Sequence, residues 1–265
     1  MFSITSRAPD GAVLHGSLTY TPPPALLLGV DTSNADLAHD LGDYPKMTYH
    51  RVFSPNAWPN WTSGKLATLP LSITPHCSCD GPWVPEDFRA WCAKATRPVY
   101  ATWKHEPMKK VSPTDYQHNS AEMAAIAAEY PLILGTGPVL TRFWVDDARG
   151  DPSLWWFAGA SFWGMDCYNG VDDRYRPPGE MFGTAVELGH GYGVPVLIPE
   201  WGVERLAFDT SGEQRAQVLR DAVTFLRSAR VVAAGWWNVA GSPSRLSAGP
   251  EKATLQTLVD QQGTL

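Results

Sequence analysis

The chain has 265 residues, 44% of them hydrophobic, and a formal net charge of −6. That length suits one large domain with a substantial core and argues against extended disorder. The acidic balance, with Lys109-Lys110 as its one basic pair, excludes a phosphate-tracking face and with it nucleic acid as the main partner. Twelve tryptophans stand out, because an indole combines a broad apolar face with one N–H that needs a partner and so suits a site with a wet rim.

In chain order, residues 1–24 read as a lead-in segment. Eight short apolar runs follow: 25–31, 47–53, 67–74, 98–106, 137–145, 160–168, 194–201 and 231–239. Helical patterns lie between them. Residues 34–42 open on a capping Asn34 and close on Gly42. In 84–95, Pro85 and two acids occupy the first turn, and Phe88, Trp91 and Cys92 share a face. An Ala-rich helix is expected over 120–130. In 210–230, Thr210 and Glu213 have capping-box spacing ahead of a Leu219, Ala222, Val223, Leu226 stripe. A short helix is expected within 150–158, and a last one covers about 251–262.

Strands alternating with helices imply a parallel sheet with right-handed crossovers. Eight such units fit a single (β/α)8 TIM barrel over about 25–265. An open dinucleotide-binding sheet is disfavoured, since no GxGxxG follows the first strand. No run of apolar residues is long enough to span a membrane. The opening "MFSITSRAPDG" lacks signal-peptide organisation, so the chain reads as a soluble protein, monomer favoured: cytoplasmic, or secreted or phage-borne with its leader absent. Cys77 and Cys79 are too close and too isolated for a four-ligand zinc site. A Cys77–Cys92 or Cys79–Cys92 disulfide would fit an oxidising setting.

In such barrels the C-terminal strand ends carry the chemistry. Read in order, those ends offer Asp31; His50 and Arg51; Trp103, His105 and Glu106; Asp146 and Asp147; Asp166, Tyr168 and Asn169; Glu200 and Trp201; and Trp236, Trp237 and Asn238. Glu106 and Glu200 each end an apolar strand, which places two carboxylates at one mouth. Two carboxylates flanking a bond are what glycosidic cleavage needs: one donates a proton to the leaving oxygen and the other attacks the anomeric carbon. No metal or other cofactor is required, and the partner is a carbohydrate. Tyr168 or Arg51 is placed to hold the nucleophile by a hydrogen bond. Asp31, His50, His105, Asp166, Trp103, Trp201 and Trp236 complete the candidate sugar-binding set. Asp31 and His50 read equally well as structural side chains, and Asp166 could instead pair with Arg51. Of Trp236 and Trp237, opposite in strand parity, Trp236 is assigned to the cavity.

"WKHEP" (103–107), "GMDCYN" (164–169), "VPVLIPEWGV" (194–203) and "GWWN" (235–238) together resemble motifs of the clan A retaining glycoside hydrolases, and most of all family 26, the mannanases. The resemblance implies that Glu106 is the acid/base after strand four and Glu200 the nucleophile after strand seven. It also implies that Tyr168 bonds to the nucleophile and that a strand-eight Trp floors a sugar subsite. Family 26 continues its acid/base motif with Met-Asn-Gly, whereas Pro107-Met108-Lys109 stands here. A carbohydrate-binding barrel with little or no turnover is the alternative. A metal-dependent hydrolase built on Asp31, His50 and Asp166 is a third.

Overall fold

The computed structural model describes residues 2–7, 13–18, 26–33, 35–170, 173–246 and 248–262. A two-stranded antiparallel hairpin, β1 (Phe2–Arg7) and β2 (Val13–Leu18), falls in the lead-in. The main sheet holds β3 (Leu27–Asp31), β4 (Tyr49–Ser54), β5 (Thr74–Cys79), β6 (Val99–Trp103), β7 (Ile133–Thr136), β8 (Val139–Thr141), β9 (Trp163–Tyr168), β10 (Val196–Gly202) and β11 (Ala233–Trp237). Helices alternate with them: α1 (Leu37–Asp43), α2 (Gly64–Thr68), α3 (Pro85–Ala93), α4 (Pro113–Ala127), α5 (Pro178–Tyr192), α6 (Glu213–Ser228) and α7 (Pro250–Asp260).

The strand order is β7-β6-β5-β4-β3-β11-β10-β9-β8, every pair parallel. Its two ends, β7 and β8, are one barrel strand broken at Gly137-Pro138, so the ladder returns on itself. Proline supplies no N–H, which accounts for the break. The Thr102 hydroxyl donates to the Gly137 carbonyl at 3.1 Å, and the Glu106 N–H donates to Val139 O at 3.0 Å. These bonds carry the sheet across the gap. The fold is therefore the expected eight-stranded TIM barrel.

Strand alternation sorts the core into two shells. Tyr49, Val139, Phe162, Leu197, Val232 and Ala233 fill the barrel interior, with Leu27 and Tyr100 packed against them. Leu28, Val30, Val52, Cys77, Ala101, Trp103, Met165, Ile198, Trp201, Ala234 and Trp236 face outward onto the helices.

Several expected elements move. Strand three is not 67–74: Ala67 and Thr68 end α2, Pro70 O accepts Ile73 N in a turn, and β5 starts at Thr74. Its inward residues, His76 and Ser78, are polar, so hydrophobicity cannot mark it. The run 137–145 divides into β8 and a helical turn over Phe143–Asp147. The helix expected at 120–130 begins at Pro113, capped by Ser112, whose hydroxyl accepts from Asp115 N. Asn34 lies outside the described residues, and α1 starts at Leu37. A single 3₁₀ turn, Pro152–Trp155, falls within 150–158. The capping box does not form. Asp209 instead receives the N–H groups of Gly212, Gln214 and Arg215 at 3.0, 3.3 and 2.7 Å. All four cysteines are free and buried, so neither disulfide is present.

Candidate active site

The site grows from the inward-facing residues at the C-terminal strand ends. In β3 and β4 these are Asp31, Arg51 and Phe53, and in β5 and β6 His76 and Thr102. The Asp31 carboxylate accepts the Arg51 backbone N–H at 2.5 Å. The Arg51 Nη1 lies 2.8 and 2.9 Å from the two ring nitrogens of His76, whose Nε2 is 2.8 Å from Thr102 Oγ1. Tyr49 OH completes this floor, 3.0 Å from His76 Nδ1. A guanidinium is thus fixed upright below the barrel mouth.

Glu200 reaches the same space through an irregularity in β10. The register of β10 shifts between Ile198 and Trp201 against β11 and between Leu197 and Trp201 against β9. Ile198 and Trp201 both face outward, which leaves Pro199 and Glu200 as a bulge that turns the carboxylate inward. Proline at 199 cannot donate to the ladder, so the bulge forms where a ladder bond is already missing. Tyr168 OH donates to Glu200 Oε2 at 2.7 Å, Arg51 Nε stands 4.0 Å from Oε1, and His105 Nε2 stands 3.4 Å from Oε1.

His105 and Glu106 sit on a strained turn after β6. Lys104 and Glu106 both adopt left-handed backbone angles, φ 56° and 47°. For side chains with a Cβ this conformation is costly and persists where surroundings impose it. Here Asp80 does so: its carboxylate accepts the His105 N–H at 3.0 Å, and its carbonyl accepts the Lys104 ammonium. The turn sends His105 Nε2 onto Asp166 Oδ2 in a short contact. It leaves Glu106 half-buried at the head of the 3₁₀ turn Pro107–Lys109, where its charge acts on both His105 and Asp166.

Burial shapes the protonation of the group. Glu200 is pushed up to about 7 by desolvation and then by Asp166. Desolvation also holds Asp31 and Asp166 well above the carboxylate range, with Glu200 adding to the effect on Asp31. His105 is lowered to about 4 by burial and then by Arg51, so its imidazole is neutral at neutral pH. The Tyr168 hydroxyl is raised by burial and by Glu200, which keeps it a donor. Asp31 Oδ2, Asp166 Oδ1, Glu200 Oε1 and Arg51 Nε and Nη2 are buried without a hydrogen-bond partner. The arrangement offers a carboxylate with donors on two sides, open toward polar atoms that enter from the mouth.

Beside it stands an aromatic corner. Phe53, 37% exposed, has its ring 5.0 Å from that of His105 and meets half-buried Trp237 edge-on at 6.1 Å and 84°. Arg51 lies 4.8 Å from the Phe53 centroid.

The structure therefore brings together Asp31, Arg51, His105, Asp166, Tyr168 and Glu200, with Glu106 at their edge. Three tryptophans belong elsewhere. Trp236 is fully buried in the outer shell, perpendicular to Trp201 at 4.7 Å and beneath the Arg215 guanidinium. Trp201 packs there too, against Phe182, and Trp103 stacks on Tyr116 with its N–H on Gly81 O. Parity thus reverses the Trp236 assignment in favour of Trp237. His50 is on the opposite side of β4 from Arg51, its Nδ1 on Val30 O at 2.6 Å, so Asp31, His50 and Asp166 form no ligand set. Asp146 and Asp147 pair with Arg142, while Asn169 and Asn238 staple loops through Arg174, Arg176, Asp40 and Leu246. Phe53, His76 and Thr102 were missed. Phe53 was legible as the residue two beyond Arg51 on the same face.

No family model and no curated protein matches the chain. Solved structures do. An endo-β-1,3-glucanase of glycoside hydrolase family 128 from Amycolatopsis mediterranei, in complex with laminarihexaose, superposes with a TM-score of 0.60 at 13% identity, covering 87% of this chain and 98% of its own. An endo-1,4-β-D-mannanase from Thermotoga petrophila RKU-1 gives 0.60 at 10%, covering 89% and 99%. Fungal β-1,4-galactanases give 0.58 at 10%, covering 89% and 99%. The shared fold is the (β/α)8 barrel. At such identities the likeness carries the architecture, as the strand-end motifs led one to expect, and leaves the chemistry to the residues above. No helix among the described residues is long and apolar enough to cross a membrane.

Proposed function

We propose that the chain is a retaining glycoside hydrolase acting on a β-linked polysaccharide or oligosaccharide. The observation that carries the reading is Glu200: a buried carboxylate that receives the Tyr168 hydroxyl at 2.7 Å and lies within reach of His105 and Arg51. A buried carboxylate is costly to maintain, and the Tyr168 hydroxyl together with the Arg51 charge stabilises its ionised form in a place that serves attack on a carbon above it. Glu106, on the adjoining strained turn, is the acid/base. It protonates the glycosidic oxygen as Glu200 bonds to the anomeric carbon, then takes a proton from the water that releases the sugar. The Phe53–Trp237 corner supplies faces on which the C–H side of a sugar ring stacks. The neighbours' β-1,3-glucan, β-1,4-mannan and β-1,4-galactan are the substrate classes to screen first.

The test is hydrolysis of these three glycans by the wild type and by Glu106→Gln and Glu200→Gln, with the product anomer followed by NMR. Turnover with retained configuration, reduced by about 10³-fold or more in Glu200→Gln, supports the assignment. Inverted product would keep the glycosidase and remove the covalent step. Sugar binding by the wild type without turnover would establish the carbohydrate-binding barrel in its place.

A further inference from the structure

We propose that His105, Asp166 and Glu200 form a binding site for one divalent transition-metal ion, zinc foremost, whose occupancy blocks the Glu200 carboxylate. One donor atom from each residue lies within 4.8 Å of the other two. The cluster is more than a gathering of acids. Asp166 is fully buried and Glu200 is 5% exposed, yet Asp166 Oδ1 and Glu200 Oε1 lack hydrogen-bond partners. Both belong to barrel strands, and His105 is fixed by the Asp80-braced turn, so the donors are held close together on defined elements.

The donor chemistry selects the metal class. One imidazole nitrogen and two carboxylates suit zinc and its neighbours, whereas calcium and magnesium favour oxygen-only shells. Three protein donors with a fourth position open to the barrel mouth match a tetrahedral site completed by water. Bond lengths near 2.0–2.2 Å place tetrahedral donors about 3.3–3.5 Å apart, and His105 Nε2 is 3.4 Å from Glu200 Oε1. The His105–Asp166 contact is shorter than this spacing; metal binding takes an unprotonated Nε2 and the carboxylate as ligand atoms, and the pair separates to metal-bridged spacing. Arg51 is the opposing cation, 4.0 Å from Glu200 Oε1, but its Nη1 is engaged by His76. The second group of this kind, His39, Asp40 and Asp43, is already occupied: Asn238 holds Asp40, and the Lys252 ammonium lies 2.6 Å from Asp43.

Metal binding stands on this geometry alone, while the loss of turnover rests on the reading of Glu200 as nucleophile. The experiment therefore separates them. Zinc binding is measured without sugar by calorimetry and by thermal shift, and Co2+ is added for its visible d–d bands. The expected result is one ion per chain, a raised Tm and tetrahedral Co2+ bands. Asp166→Asn and His105→Gln each weaken binding by more than about 100-fold, beyond the 10–100-fold typical of outer-sphere changes. His39→Ala leaves binding unchanged. No zinc binding by the folded wild type at millimolar concentration overturns the site, as does unchanged affinity in both ligand variants or loss of binding in His39→Ala. The wild-type Co2+ spectrum decides the matter if the variants fail to fold. On an active chain, zinc inhibition competitive with glycan supports the blocked nucleophile. A chain that binds zinc but cleaves no glycan refutes the hydrolase and leaves the metal site standing.

Discussion

At the scale of single residues, the chemistry turns on how Glu200 is kept available. Its pKa of about 7 arises from burial first and Asp166 second, while His105, Arg51 and Tyr168 act against them. An attacking carboxylate must be ionised, so kcat/KM should rise with pH through about 7 on the acid limb. Asp166→Asn removes the second cause, lowers the Glu200 pKa and moves that limb to lower pH. Tyr168→Phe removes a stabilising donor and moves it to higher pH, with a loss in kcat of about 10–10². Opposite displacements in the two pH–rate profiles are the signature to look for, and movement in the same direction would contradict the assignment. The carboxylates, Tyr168 and the histidine of the turn were readable because charge at the end of an apolar run is conspicuous. The hydrogen bond from Tyr168 to Glu200 was anticipated from motif resemblance, and the short His105–Asp166 contact was not. Sixty-one positions separate its partners, and no local pattern in the chain encodes that pairing.

At the scale of elements, two backbone devices set the site: the Pro199–Glu200 bulge in β10 and the strained turn after β6. A third is a glycine. A Cβ on Gly235 would stand 2.0 Å from Asp31 Oδ2 and 2.6 Å from the Pro199 carbonyl. Only hydrogen at that position lets Asp31 lean across β11 toward the bulge. Gly235→Ala should therefore destabilise the fold by about 1–3 kcal/mol and displace Asp31, measured by urea unfolding and by the pH–rate profile together. Wild-type stability in that variant would show that the strands are free to part here. Element periodicity explains which parts of the sequence could be read. Strands with apolar residues on both faces, such as β3, β10 and β11, announced themselves. The polar-inward β5 did not, and apolar side chains before it drew the assignment to 67–74. Likewise the α5 segment, with its four glycines, gave little helical signal, and Trp236 was preferred to Trp237 because parity cannot be anchored without a register.

For the whole molecule, a barrel that encloses titrating groups has a stability tied to their protons. Sign follows from which state binds more protons. His50, His76 and His105 are lowered by burial, so below about 6.5 the unfolded chain binds the additional protons and stability rises with pH. Asp31, Asp166 and Glu200 are raised by burial. Above their unfolded values the folded chain holds the additional protons, and stability falls with pH until the folded groups ionise. The two slopes oppose each other up to about 6.5, where the histidine contribution ends and the carboxyl contribution continues. Glu200 can be isolated from this balance. Its window runs from the ordinary glutamate value of 4.5 to about 7. The Tm difference between Glu200→Gln and wild type should thus be smallest below pH 4.5, grow across the window in favour of the variant, and level off above about pH 7. A gain of several °C at the plateau is expected for a chain of this size. Calorimetry on both proteins at four or five pH values measures it. A difference that does not change with pH would mean that Glu200 ionises in the folded barrel as freely as in the unfolded chain. Its burial would then not perturb its titration, and the acid limb near pH 7 would have to belong to another group.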